Sequence, residues 1–379
     1  MKVKKIANWG PTIFLISYQV LLLAALPFYF YYHSLSLSLL AISIVLLYAT
    51  GLSITVGYHR YYAHKSYKTN SFIESLLLFF GAMAFQGSAL RWAFDHRIHH
   101  AFVDTDDDPY SINKGFLYAH FTWIFEKPAV IDRKVVSDLF KNKLVMFQHD
   151  HIGKLMLGTN ILAWAFVGWI LNDYLGAFVI GVGLRMFALH HFTWFINSLA
   201  HMWGDKPFSQ EQTAVDNYFL AFLTFGEGYH NFHHTFANDY RNGIRWFHWD
   251  PSKWCIWTLS KLGLAHNLKT IDPLTIKKRM VIEHKNLLLD RLKQAWNEKK
   301  EELEQQIQEI TDGMVAKLTT FNQLSVQYQQ FKREQASRDL IAELGEEIKG
   351  LRKSLKDDWR HLKQLSNDIL GDNTQQLQT

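Results

Sequence analysis

Histidine is the residue whose number and spacing carry chemistry in this sequence. There are 19 in 379 residues, and eight of them fall into three short clusters: His59-Arg-Tyr-Tyr-Ala-His64, His96-Arg-Ile-His99-His100 and His230-Asn-Phe-His233-His234. In the second and third clusters the i, i+3, i+4 spacing puts three imidazoles on one face of a helix, the way a helix presents ligands to a metal. The i, i+5 spacing of the first cluster diverges on a regular helix, so a distorted or frayed helix end is expected there. Neutral imidazole suits iron, copper, zinc or nickel. Eight such ligands exceed what one ion takes, which implies two metals. The bland alternative, histidines merely exposed on an interface, does not account for two copies of His-x-x-His-His in one chain. The one cysteine, Cys255, leaves no thiolate cluster and no internal disulfide, so the donors must be nitrogen or oxygen.

The acidic run Asp104-Thr-Asp106-Asp107-Asp108-Pro109 invites a calcium reading and fails it. Pro109 stands where an EF-hand needs its glycine, and Gly115 where it needs its bidentate glutamate. These carboxylates, Asp104, Asp106 and Asp108, together with Asp95, are instead expected to orient imidazoles by accepting their second N–H. Asp216 and Glu227 are weaker candidates for that task.

The elements that must position these clusters are apolar. Aromatic and aliphatic residues make up 48% of the chain, with 13 Trp, 16 Tyr and 28 Phe, while mean hydropathy is −0.10, as when an apolar part is joined to a strongly polar one. No Lys or Arg occurs from Ile6 to Tyr58, and apolar runs at residues 11–32 and 35–57 meet at His33-Ser34. A second pair, 155–171 and 175–196, is joined by Asn172-Asp173. The expectation is an all-α integral membrane protein with four spans in two hairpins and a cytoplasmic helical cap.

Lys2, Lys4 and Lys5 before the first span and Arg60, Lys65 and Lys68 after the second put both termini and the central loop in the cytoplasm, at a bacterial inner membrane or the endoplasmic reticulum. The run 71–90, broken by Gly81, Gln86, Gly87 and Ser88, is read as an interfacial or re-entrant helix, because a crossing would separate the first two histidine clusters. The first apolar run is too long for a signal peptide and lacks a cleavage site. Arg185, mid-span, needs a polar partner within the bundle or a function. The net charge of +5 is no nucleic-acid footprint.

Residues 1–270 thus form one domain, and 275–379 a Lys/Glu/Gln-rich extension. There Leu303, Ile307, Ile310 and Met314, then Leu340, Leu344, Ile348, Leu351, Leu355 and Leu362, recur at helical spacing. Two long amphipathic or coiled-coil helices are expected, 276–331 and 338–370, with breaks near Asp312-Gly313 and Gln335 to Ser337. They either fold back on each other or pair across two copies of the chain.

The set His59-Arg-Tyr-Tyr-Ala-His64, Asp95-His-Arg-Ile-His-His100, Thr193-Trp-Phe-Ile-Asn-Ser-Leu-Ala-His201 and Gly226-Glu-Gly-Tyr-His-Asn-Phe-His-His-Thr235 resembles that of the delta-9 (stearoyl-CoA type) acyl-CoA desaturases over about residues 10–260. The resemblance implies two irons, His201 as a ninth imidazole ligand and Asn197 as a residue approaching one metal through water. It also implies Trp194 as part of a bent acyl tunnel. Asp95 and Lys127 are expected near the substrate. His120, in Lys114-Gly-Phe-Leu-Tyr-Ala-His120, also lies in a family-like stretch but has no assigned role, nor have His190 and His191.

Such enzymes place a double bond in a saturated acyl chain. An unactivated methylene has no useful acidity, so removing its hydrogens requires a redox metal, O2 as co-substrate and electrons from outside. The sequence has no flavin or nicotinamide fingerprint, so an external donor such as ferredoxin or cytochrome b5 is implied. Phe94 stands where the family has a basic residue, and Lys127 alone remains of a basic pair. That departure leaves a lipid- or carrier-protein-linked chain open beside fatty acyl-CoA. The competing readings are a membrane di-iron hydroxylase or alkane oxidase and a non-enzymatic lipid-binding scaffold.

Overall fold

The computed structural model describes residues 6–294 and 299–376. The chain divides into two compact units, residues 1–206 with 211–270, and residues 207–210 with 271–379.

Among the described residues of the first unit, four helical stretches are long and apolar enough to cross a membrane: Trp9–Tyr32, Leu37–Ala63, Lys143–Leu171 and Tyr174–His201. Helix α1 (Trp9–Tyr32) is followed by α2 (Leu37–Leu52), whose first turn is capped by Ser36 Oγ accepting from Leu39 N. From Ser53 to Ala63 the second span winds on as a π-helix. Helix α3 (Ser71–Met83) is capped by Asn70 and packs on α6 (Lys143–Leu171) and on the π-helical segment. Its 13 residues rise about 20 Å, short of the roughly 30 Å hydrocarbon core. A turn through Phe85–Gly87 then leads to α4 (Ala89–Phe102), capped by Ser88.

The loop beyond α4 carries the short α5 (Phe116–His120) before α6. Helix α6 begins twelve residues before the expected span start at 155, because Lys143, His149, Asp150, His151 and Lys154 disguise its first turns in a hydropathy reading. The last span starts as α7 (Tyr174–Gly176), passes through a π-helical stretch (Ala177–Leu184), continues as α8 (Arg185–Asn197) and ends in a 3-10 turn at Leu199–His201. Short helices α9 (Tyr218–Leu223) and α10 (His230–Thr235) and the longer α11 (Pro251–Lys261) complete the unit. A two-residue ribbon pairs β1 (Lys68–Thr69) antiparallel with β2 (Ala265–His266).

Arg185 has the structural role. Its guanidinium donates to Asn160 Oδ1 at 2.5 Å and to the Gly181 carbonyl at 3.1 Å, which offsets a mid-membrane charge that otherwise costs about 3 kcal/mol.

Among its described residues the second unit holds three helices: α12 (Pro273–Gln294), α13 (Lys300–Arg333) and α14 (Arg338–Gln376). Val281, Leu288, Leu292, Ile307, Met314, Leu318, Leu362 and Leu365 form a core of their own. Lys317–Asp358 (2.7 Å) and Lys285–Asp312 (2.9 Å) rim it. The expected break at Gln335–Ser337 is present, but α13 runs unbroken through Asp312-Gly313. Gly313 faces open space, and its propensity cost of about 1 kcal/mol is outweighed by burial of Ile307, Thr311, Met314 and Leu318 on the other face. The segment read as one helix over 276–331 is two, α12 and nearly all of α13.

A candidate two-metal centre built from imidazoles

The π-helix explains the first cluster. Its bonds run from i to i+5, as in His64 N to His59 O at 3.0 Å, so the two rings project together with centroids 4.7 Å apart. A regular winding replaces the fraying that the spacing suggested. Arg60, next to His59 and fully buried, reaches across to Glu227 at 2.9 Å and Asp250 at 3.0 Å. It thereby ties the second span to the loop before α10 and to the start of α11. Arg97, between His96 and His99, forks onto Asp138 and the Tyr62 and Ala63 carbonyls, fixing α4 against the π-helix.

The third cluster depends on tight backbone contacts. A Cβ at Gly228 would sit 2.1 Å from Ala221 N, and Gly226, at φ +99°, would meet Asp250. Asp216 accepts from Phe232 N (3.1 Å) and so positions α10 through its backbone rather than through an imidazole. Burial pushes its carboxyl up to about 7.

These constraints bring nine imidazoles into two groups. His59, His64, His96, His100 and His233 form one; His99, His201, His230 and His234 form the other; in each, the candidate ligand atoms lie within 4.8 Å of one another. The rings of His100 and His234 stack at 4.3 Å between the groups. Within them Nε2 atoms face Nε2 atoms: His59–His233 at 2.9 Å, His64–His96 at 2.8 Å, His100–His233 at 3.0 Å, His230–His234 at 3.0 Å and His201–His230 at 3.1 Å. Metal–imidazole bonds of about 2.0–2.1 Å set adjacent ligands about 2.9 Å apart, so these are the separations of donors converging on one ion.

The far side of several rings is already engaged. Nδ1 of His99 lies 2.9 Å from Asp108, Nδ1 of His59 3.0 Å from Glu227, and Nδ1 of His201 2.7 Å from the Thr213 hydroxyl, which itself donates to Asp104. A carboxylate on Nδ1 holds the N–H there and leaves the Nε2 lone pair pointing inward. Burial, then neighbouring imidazoles, holds His64, His96, His100, His230, His233 and His234 well below the ordinary histidine range, so they stay neutral and able to ligate. Lone pairs converging without a cation would repel, and the donor set fits two nitrogen-loving metal ions.

The carboxylate expectations divide. Asp108 contacts an imidazole directly. Asp104 acts one bond removed, through Thr213, and Glu227 is more central than its sequence context suggested: it also accepts from Asn242, and Arg60 with His59 holds its carboxylate low against the opposing effect of burial. Asp106 and Asp95 hold no imidazole among the described residues. Asp106 offers its carbonyl to Lys114, and Asp95 pairs with Arg91 at 3.0 Å while burial raises its carboxyl to about 6.

A cavity of about 790 Å3 opens beside the imidazoles. Its buried part is lined by Ile54, His59, His96, Thr193 and Trp194, and its exposed part by Asp106, Asp107 and Lys127, so Asp95, Lys127, Trp194 and Asn197 all border it. Two lining features had no signal in local spacing: Trp92, stacked on His96 at 4.9 Å, and Gln86, donating to Thr193 at 2.9 Å. Below the Asn197–His201 turn, His120 is hydrogen-bonded to Ser198 Oγ (2.9 Å) and to His191 (3.0 Å), with burial lowering its pKa to about 4. His190 joins Tyr18 to the Ala84 carbonyl.

Four membrane-length helices under a cap with two all-imidazole groups define a membrane metalloprotein. The sequence matches the family described as fatty acid desaturase across residues 36–253, and the chain belongs to that family. It is 42% identical over 259 residues to a probable acyl-CoA desaturase of Schizosaccharomyces pombe, covering 67% of this chain and 53% of that protein. It is 40% identical over 241 residues to acyl-CoA desaturase 1 of Saccharomyces cerevisiae, covering 62% and 47%. With the sn-1 stearoyl-lipid 9-desaturase of Anabaena variabilis it shares 32% identity over 273 residues, 70% of this chain and 95% of that protein. The chain thus spans about half the length of the two yeast relatives.

Proposed function

We propose that this protein introduces a double bond, at carbon 9, into a saturated fatty acyl chain: the two hydrogens removed, O2, two protons and two electrons from an external donor protein together give two waters. The observation that carries this reading is an apolar cavity opening onto His59 and His96 of one all-imidazole group, with a second such group beside it, in a fatty acid desaturase chain. Iron bound at the two groups would supply the one-electron chemistry with O2 that no side chain has. His59, His64, His96, His100 and His233 would hold one ion; His99, His201, His230 and His234, with Asn197 through water, the other.

The remaining work belongs to the chain's own residues. Ile54, Trp194 and Met156 line a path for an alkyl chain and exclude water from it, and the Gln86–Thr193 pair offers a polar landmark along that path. Lys127, on the exposed side, and Asp95, part-buried beside Arg91, would meet the polar carrier. The yeast relatives favour a CoA thioester as that carrier. Phe94, in place of a basic residue, and the Anabaena acyl-lipid relative favour the second reading, a lipid-linked chain. The basic residues flanking the first two spans support a cytoplasmic location for the cap and both termini.

Lipid analysis of a host expressing the intact protein, against one expressing His99→Ala, His201→Ala or His233→Ala, tests the reading. New chains unsaturated at carbon 9 are expected only with the intact protein. A hydroxylated product would replace the proposal with an oxygenase.

A further inference from the structure

Helices α9 and α11 pack against the C-terminal end of the second span. Phe225, just after α9, lies against Gly51 and Tyr48 of the second span, and α11 docks Ser252 on Thr55 at 2.6 Å and packs Ile256 among Val56 and Leu77. Leu37 to Thr55 covers about 26 Å of helix, so these contacts fall near the inner edge of a hydrocarbon core roughly 30 Å thick. The faces turned away from the span at that depth are strongly apolar: Phe219 and Phe222 on α9, Trp254 and Trp257 on α11, and Leu262 just beyond it are all exposed. Phe222, Trp249 and Trp254 touch in series, with ring centroids 5.2 Å apart at each step, which joins the two helices into one aromatic surface. Cations flank it: Lys261 lies over the Trp257 ring and Arg245 over Phe247.

We propose that α9, α11 and the loop Arg245–Trp249 form an in-plane membrane anchor, seated at the boundary of acyl chains and headgroups on the same leaflet as the cap. Lipid is the occupant the geometry selects, because the patch sits on helices packed against the end of the second span, level with the edge of the hydrocarbon core, and is flanked by cations. Tryptophan and tyrosine favour that boundary, where one end of the ring is dry and the other wet, and Lys261 and Arg245 match anionic headgroups. The anchor would hold the cap against the bilayer independently of the metals.

The full-length protein in phospholipid nanodiscs tests this. In a Cys255→Ser background, single cysteines from Phe222→Cys, Trp257→Cys and Leu262→Cys are labelled with an environment-sensitive fluorophore. Quenching by nitroxide-bearing lipid is compared with quenching by aqueous iodide, with Thr105→Cys as the aqueous reference and Phe166→Cys on α6 as the lipid reference. The anchor predicts lipid quenching at least about threefold stronger at 222, 257 and 262 than at 105, approaching the value at 166. Leu262, beyond the last turn of α11, supplies the reading if Trp257→Cys fails to fold. Iodide quenching like that at 105 would overturn the anchor and leave the patch to a soluble partner.

Discussion

Glu227 stands 3.0 Å from Nδ1 of His59 while also pairing with Arg60, so one buried carboxylate serves both an imidazole of the candidate metal centre and the cation that locks the second span to the cap. Replacing it with an isosteric amide separates these roles, since Arg60 keeps Asp250. Glu227→Gln should weaken metal affinity about 10- to 100-fold while the protein still inserts in the membrane. Metal content measured under limiting iron checks this, and unchanged affinity would remove Glu227 from the centre.

Asp108 and Asp106 are two residues apart in the same acidic run but differ in what they touch. Asp108→Asn should lower metal affinity by a similar 10- to 100-fold, because it accepts from His99. Asp106→Asn should leave it nearly unchanged. Titration of the two purified variants with metal distinguishes them, and equal losses would contradict the assignment of Asp108 alone.

Gly228 has no room for a side chain. Gly228→Ala forces a methyl into the Ala221 backbone and should destabilise the fold by about 1–3 kcal/mol, moving α10 and its three histidines. Thermal unfolding in detergent reads the stability. A variant with unchanged melting and unchanged metal content would show that the loop relaxes freely.

Much of the centre was legible because helical spacing is a local property. His96, His99 and His100, like His230, His233 and His234, needed only the 3.6-residue repeat. His59 and His64 were legible as candidate ligands but not in their geometry, since a π-helix reflects packing by Leu77 and the Arg60 ion pairs rather than a local signal. Arg60 itself read only as a basic residue after a span, and Thr213, which joins His201 to Asp104, had no local signal at all. The spans were legible from hydropathy, but α6 starts early because its first turns are polar, and Gly313 misled because helix propensity is weaker than burial of one face.

Truncation after Thr270 should leave the metals and the reaction in place, because the second unit builds its core from its own residues. Its loss should change oligomeric state or coupling to the electron donor. Size-exclusion chromatography with metal analysis of the truncated protein checks both, and loss of iron would show that these helices belong to the catalytic fold.

The metal content of active protein tests the central claim most directly. Nine imidazoles in two groups predict about two irons per chain, falling together with desaturation when either group is broken by His233→Ala or His201→Ala. Full activity with zinc, or with a single metal per chain, would contradict a two-iron centre.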